Sequence, residues 1–141
     1  MKINDILNNK GTEVVTVSPD ATVRDLVGLL SKHNIGALIV SRDGSSLDGI
    51  VSERDIVRHL YIDGLIADRP VSSIMSTEVK TCDLSSTVEQ VRDSMTNSRI
   101  RHLPVIDGGS LVGIVSIGDI VKSTIGQLEF ERDQMSNYMN Q

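Results

Sequence analysis

Two blocks of the chain repeat one order of apolar and polar positions. In the first, Val14-Val15-Thr16-Val17 reads as a strand because β-branched side chains suit a pleated surface, and Ser18-Pro19-Asp20 ends it because proline has no amide to give a ladder. Thr22 is placed to cap a helix whose apolar residues Val23, Leu26, Val27 and Leu30 follow the 3.6-residue period and bury one face, with Asn34 near its end. Ala37-Leu38-Ile39-Val40 is apolar throughout, as a strand covered on both sides is, and Asp43-Gly44 supplies a tight hairpin turn into a second strand over residues 47–51. A further helix starts at about Ser52 and carries Ile56, Val57 and Leu60 on one side, followed by a polar connector over residues 63–70. The unit predicted is β-α-β-β-α, with a right-handed parallel crossover and then an antiparallel hairpin.

The second block repeats the plan. Thr16 meets Thr81, Thr22-Val23 meets Thr87-Val88 and Ile35 meets Ile100, a constant offset of 65 residues; the second hairpin, through Asp107-Gly108-Gly109, is one residue shorter. Val88, Val91 and Met95 mark its helix, and residues 102–106 and 111–115 its strands. Arg101-His102-Leu103-Pro104 stands where the first block has Gly36-Ala37-Leu38-Ile39, which brings basic groups and a proline to the middle strand. Short apolar lead-ins, residues 3–9 and 71–75, precede the blocks, so the division expected is 1–70 and 71–141. After Val121 a helix is expected to reach the C-terminus, with Val121, Ile125, Leu128, Met135 and Met139 packed either on their own chain or on a second subunit.

Composition narrows the function. Aromatic residues are 2% of the 141, so the core must be aliphatic and there is little on which to stack single-stranded bases. A formal charge of -5 without a basic stripe argues against a nucleic-acid partner. The lone Cys82 excludes an internal disulfide and reads as a small buried residue. No apolar run is long enough for a membrane helix and the N-terminus lacks a signal-peptide core, so a soluble cytoplasmic protein is expected. The three histidines are dispersed, and no nucleophile elbow, Walker loop or metal-ligand spacing appears; catalysis is not expected.

The candidate chemistry lies in Gly49-Ile50-Val51-Ser52-Glu53-Arg54-Asp55 and its near-copy Gly113-Ile114-Val115-Ser116-Ile117-Gly118-Asp119. Each is a strand that ends on a hydroxyl and runs into a helix with an aspartate in its first turn. Ser-x-x-Asp at a helix start satisfies free backbone amides. A carboxylate there also suits a vicinal diol such as that of ribose, being acceptor-only with two oxygens, while the hydroxyl and the helix amides suit an attached phosphate. Both roles can hold together.

The doubled β-α-β-β-α plan, the doubled Gly-Ile-Val-Ser-x-x-Asp signature and the Arg101-His102-Leu103-Pro104-Val105 run resemble a tandem pair of CBS domains, a Bateman module. The resemblance covers nearly the whole chain. It implies an α/β fold of two repeats packed sheet to sheet about a pseudo-two-fold axis, and a non-catalytic regulatory module that binds AMP, ADP or ATP, or else NAD or S-adenosylmethionine. Carried over by position, it implies that Asp55 and Asp119 hold ribose and that Ser52 and Ser116 lie near phosphate. Thr16 and Thr81 would line the base or ribose pocket, and Ile35, Gly36 and Ala37, with Ile100, Arg101 and His102 beside Pro104, would frame adenine. Arg101 and His102 are either solvated or phosphate ligands, with Arg54, Lys10 and Arg99 as further candidates. A homodimer and an effector protein outside this chain complete the expectation; the competing reading is a dimerisation module with empty clefts.

Overall fold

Four helices begin on one local device. A computed structural model of the chain describes residues 1–140. Thr22, Ser52, Thr87 and Ser116 immediately precede α2 (Val23–His33), α3 (Glu53–Asp63), α4 (Val88–Ser98) and α5 (Ile117–Met139). Each hydroxyl accepts the amide three residues on, while Asp25, Asp55, Gln90 or Asp119 accepts the cap residue's own amide. Two amides that the helix leaves unpaired are thereby bonded at every start.

The first repeat folds as β1 (Thr16–Val17), α2, β2 (Ala37–Val40), β3 (Gly49–Ser52) and α3, with β1 parallel and β3 antiparallel to the central β2. All four residues of β2 are buried, as its uninterrupted apolar run requires. The hairpin differs from expectation. Val40 pairs with Gly49, which leaves residues 41–48 as a loop in place of a tight Asp43-Gly44 turn. Asp43 Oδ1 accepts the amides of Ser45 and Ser46 at 2.9 and 2.8 Å, and Asp48 accepts the Arg42 amide at 2.7 Å, so side chains satisfy backbone that a ladder would otherwise take.

The second repeat keeps β4 (His102–Asp107) and β5 (Ser110–Ser116), joined by Gly108 and Gly109, whose φ values of 58° and 81° fit a two-residue hairpin turn. Its first strand shrinks to a single parallel bridge between Cys82 and Val105. Pro104 explains the loss. Its carbonyl accepts the Cys82 amide at 3.0 Å, so its nitrogen faces the same side, and with no N–H it cannot extend the ladder back toward Thr81.

The two lead-ins are exchanged between repeats. Helix α1 (Ile3–Lys10) sends Ile3, Ile6 and Leu7 into the second core, among Val88, Val91, Met95, Leu103, Val105, Val115 and Ile120. Val71 and Ile74 of the second lead-in enter the first core, with Ile66 of the connector, among Val23, Leu26, Leu38 and Val51. Matched hydrogen bonds fix both: Ile3 and Asn4 amides bond Ser86 and Leu84 carbonyls, as Val71 and Ser72 amides bond Ala21 and Pro19. Glycine makes the approach possible on each side. A Cβ at Gly113 would lie 2.8 Å from Leu7 Cδ1, and one at Gly49 would lie 2.8 Å from both Met75 Sδ and the Ser76 carbonyl oxygen.

Helical faces expected to be buried are not all covered. Val27 of α2 is 46% exposed, and on α3, which buries no residue fully, Val57 and Leu60 are 64% and 51% exposed. The tail helix α5 is 23 residues long, about 35 Å. Its strip of Val121, Ile125, Leu128, Met135 and Met139 is 50% to 79% exposed, so it does not pack on its own chain.

Three outcomes follow for the fold. Gly49→Ala meets backbone whereas Gly113→Ala meets only the side chain of Leu7, so urea denaturation is expected to show a loss of about 2–3 kcal/mol for the first and about 1 kcal/mol for the second. Arg99 holds a left-handed conformation at the end of α4, φ 54°, as Asn34 does after α2, φ 52°. Replacing it by the better-suited residue, Arg99→Asn, is expected to raise stability by roughly 0.5–1 kcal/mol in the same assay. Burial, with Asp83 alongside, pushes the Cys82 thiol up to about 11. Iodoacetamide at pH 8 is expected to alkylate native Cys82 roughly 100-fold more slowly than the unfolded chain.

Candidate functional site

The capping boxes set the first limit on what the two aspartates do. In α4 the same position is filled by Gln90, whose Oε1 accepts the Thr87 amide at 2.9 Å, so the fold asks for an acceptor there and not for a charge. At α3 and α5 the Ser52 and Ser116 amides donate to Oδ2 of Asp55 and Asp119, each at 2.8 Å. The cap bonds converge on one oxygen, which leaves Oδ1 of each carboxylate without a protein partner among the described residues. The cap needs only Oδ2, so Oδ1 of each carboxylate is open to a further donor.

What separates the two aspartates is their surroundings. Exchange of the lead-ins carries the end of α1 across to α5, where Lys10 Nζ donates to Asp119 Oδ2 at 2.7 Å and to the Ile114 carbonyl at 2.9 Å. The pair is partly shielded, with the side chains 33% and 21% exposed. Burial pushes the Asp119 carboxyl up, but the bonds from Lys10 and Ser116 outweigh it and hold the group below the usual carboxylate range. Burial pushes the His102 ring below its ordinary value, and Lys10 and Arg101 act in the same direction against Asp119, so the ring is neutral at pH 7.

Lys10 and His102 face a cleft of about 410 Å³ that both repeats build. The first repeat contributes Glu13, Val15, Asn34, Ile35, Gly36 and Ala37, and the second His102, Ile114 and Ser116. That volume suits a small-molecule ligand. A concavity of about 440 Å³ lies between residues 83–85 and 106–108, but it is shallower and its charged residues are Asp83 and Asp107 without a cation. The cleft at Lys10 has the chemistry of a site; the other does not.

Of the residues singled out from the sequence, Lys10, Ile35, Gly36, Ala37, His102 and Ser116 come together on the walls of this cleft, with Asp119 bonded to two of them. Thr16 lies on β1 beside Val15. Ser52 and Asp55 start α3 next to the middle strand, where Ser52 pairs with Ala37, as Ser116 pairs with His102 in the second repeat. The Glu53 amide donates to the Gly36 carbonyl, as the Ile117 amide does to Arg101. Thr81, Arg54, Arg99 and Arg101 are exposed, Ile100 packs partly against the second core, and Pro104 is buried in β4. Glu13, Val15, Asn34 and Ile114 were not foreseen. Ile114 lies within the repeated signature, whereas Glu13 carries no signal beyond its closeness to β1.

The family model of the CBS domain matches residues 3–62 and 71–126. The CBS domain-containing protein YhcV of Bacillus subtilis is 35% identical over 118 residues, which is 84% of each chain. The crystal structure of the CBS domain protein NE2398 superposes with a TM-score of 0.84 at 39% identity, over 89% of this chain and 98% of that one. The CBS domain pair of protein MJ0100, in complex with 5′-methylthioadenosine and S-adenosyl-L-methionine, gives 0.79 at 26% identity over 90% and 98%. The protein PAE2072 of Pyrobaculum aerophilum, complexed with AMP, gives 0.75 at 25% identity over 84% and 89%. Two repeats built to one plan, the second with its first strand reduced to a bridge, helix starts repeated at matched positions and these likenesses together establish that the chain belongs to the CBS-domain family and carries two CBS domains in tandem.

Proposed function

We propose that the chain is a regulatory module that binds an adenosine ligand, most simply AMP, ADP or ATP, in the cleft between its repeats. The observation that carries this reading is the joining of two halves of a site. Asp119, with Oδ1 open, and Ser116 come from one repeat; the Ile35–Ala37 backbone beside a Gly comes from the other. Asp119 would accept the ribose hydroxyls, Ser116 and the α5 amides would lie toward phosphate, and residues 35–37 would frame the base. The ligands of the MJ0100 and PAE2072 proteins, which share this fold, are all adenosine compounds. NAD and S-adenosylmethionine belong to the same chemical class. Asp55 and Ser52, with Thr81, Ile100 and Arg101, would form the two-fold-related cleft.

Regulation on this reading is linkage: a ligand that binds one arrangement of repeats or subunits better than another shifts the population by that difference in affinity. The exposed strips of α3 and α5 support a homodimer as the unit that shifts, and an effector protein would read the change. The same strips favour a second reading, a dimerisation module whose clefts stay empty.

Calorimetric titration with AMP, ATP, NAD and S-adenosylmethionine separates the two. Saturable binding of at least one is expected, and Asp119→Asn is expected to weaken it by about 1.5–3 kcal/mol through loss of charge-assisted diol contacts. Asp55→Asn tests the related cleft in the same way. Both variants should fold, since Asn keeps the acceptor that the cap needs. Absence of heat with every ligand, in a folded dimer, leaves the dimerisation module as the function.

A further inference from the structure

The two aspartates differ in a way that the repeat does not predict. Asp119 Oδ2 is filled twice, by the Ser116 amide and by Lys10, whereas Asp55 takes part in no ion pair among the described residues and its Oδ2 accepts only the amide and hydroxyl of Ser52. The asymmetry comes from the lead-ins. Leu7 on Gly113 corresponds to Met75 on Gly49, and counting three residues on from each reaches Lys10 in one lead-in and Glu78 in the other.

We propose that Lys10 is the specificity-determining residue of the Asp119 cleft, an exchangeable counter-ion that selects 5′-phosphorylated adenosine over neutral adenosine. The inference rests on the adenosine reading of that cleft. A ribose diol that engages both oxygens of Asp119 finds Oδ1 open and Oδ2 held by Lys10, and it takes the place of Lys10 there. The ammonium is then left with the Ile114 carbonyl alone, because among the described residues no other carboxylate lies within ion-pair distance of it. Glu13 lines the same cleft without pairing. The freed ammonium loses a charge-assisted partner, and neutral adenosine offers it nothing in exchange. A 5′ phosphate offers a charge-assisted acceptor, with the neutral His102 ring beside it as a further hydrogen-bonding group. Lys10 thus exchanges one anion for another, and only an anionic ligand closes the exchange.

The test is calorimetry with AMP and adenosine on the full chain carrying Asp55→Asn, so that heat reports the Asp119 cleft. AMP is expected to bind roughly tenfold or more tightly than adenosine. Lys10→Met should weaken AMP by roughly the same factor and leave adenosine equal or tighter, while Lys10→Arg keeps the preference; Lys10→Gln is a second charge-removing variant should Met perturb the end of α1. An unchanged ratio of AMP to adenosine affinity in Lys10→Met and Lys10→Gln overturns the proposal and leaves the adenosine site standing. Equal weakening of both ligands overturns it in favour of a packing role for Lys10. If neither ligand binds with Lys10 intact, the adenosine reading of the cleft fails and this inference fails with it.

Discussion

The contact on which the rest depends is the close approach of each lead-in to a glycine of the opposite repeat. Leu7 reaches over Gly113 and Met75 over Gly49 at distances that leave no room for a Cβ. Each repeat therefore completes its core with a segment that belongs, in chain order, to the other: α1 closes the second and the second lead-in closes the first. A repeat of about 70 residues has too little interior to be secure alone. Exchange gives the second core three more buried aliphatic side chains and the first core two, Val71 and Ile74, and makes the stability of one repeat depend on the other.

The same exchange builds the cleft. Without it Lys10 would stand at the end of an isolated helix, 109 residues from Asp119 in sequence and with no reason to meet it. With it, a cation from the beginning of the chain and the backbone of residues 35–37 from the first repeat line one cavity, and the cation is bonded to a carboxylate of the second. The two repeats begin from one architecture, and the segments that cross between them carry Lys10 in one lead-in and Glu78 at the matching position of the other.

This explains which parts were legible in the sequence. Helix starts, strand order, the antiparallel hairpins and the buried run of β2 follow from local rules, and the repeat let each half check the other. The loop at residues 41–48 and the shortened strand at Cys82 did not. An Asp-Gly pair normally signals a tight turn, and here Asp43 instead satisfies backbone within a longer loop; Pro104 acts on a neighbouring strand about 20 residues away. The exposed faces of α3 and α5 have the periodicity of buried ones, because a helix that packs on another molecule and one that packs on its own core obey the same pattern. The pairing of Lys10 with Asp119 was out of reach, since nothing local tells a lead-in which repeat it will join.

The aspartates show why a motif alone could not decide between fold and function. Gln90 demonstrates that a cap needs only an oxygen, so a charge at Asp55 and Asp119 exceeds what folding asks. Yet Asp25 carries the same charge in the cap of α2, away from the cleft walls, which shows that excess charge by itself marks nothing. The discriminating facts are three-dimensional and belong to Asp119: a counter-ion brought from the other end of the chain, and a cavity of ligand size beside it. Asp119 also lies in the first turn of the helix that carries the exposed apolar strip. Whatever that carboxylate holds is therefore tied, through a rigid helix of 23 residues, to the surface on which a second molecule would pack. On the proposed reading, binding chemistry and an assembly surface meet on one element, and a ligand's preference for one packing of α5 is the physical quantity through which such a module would signal.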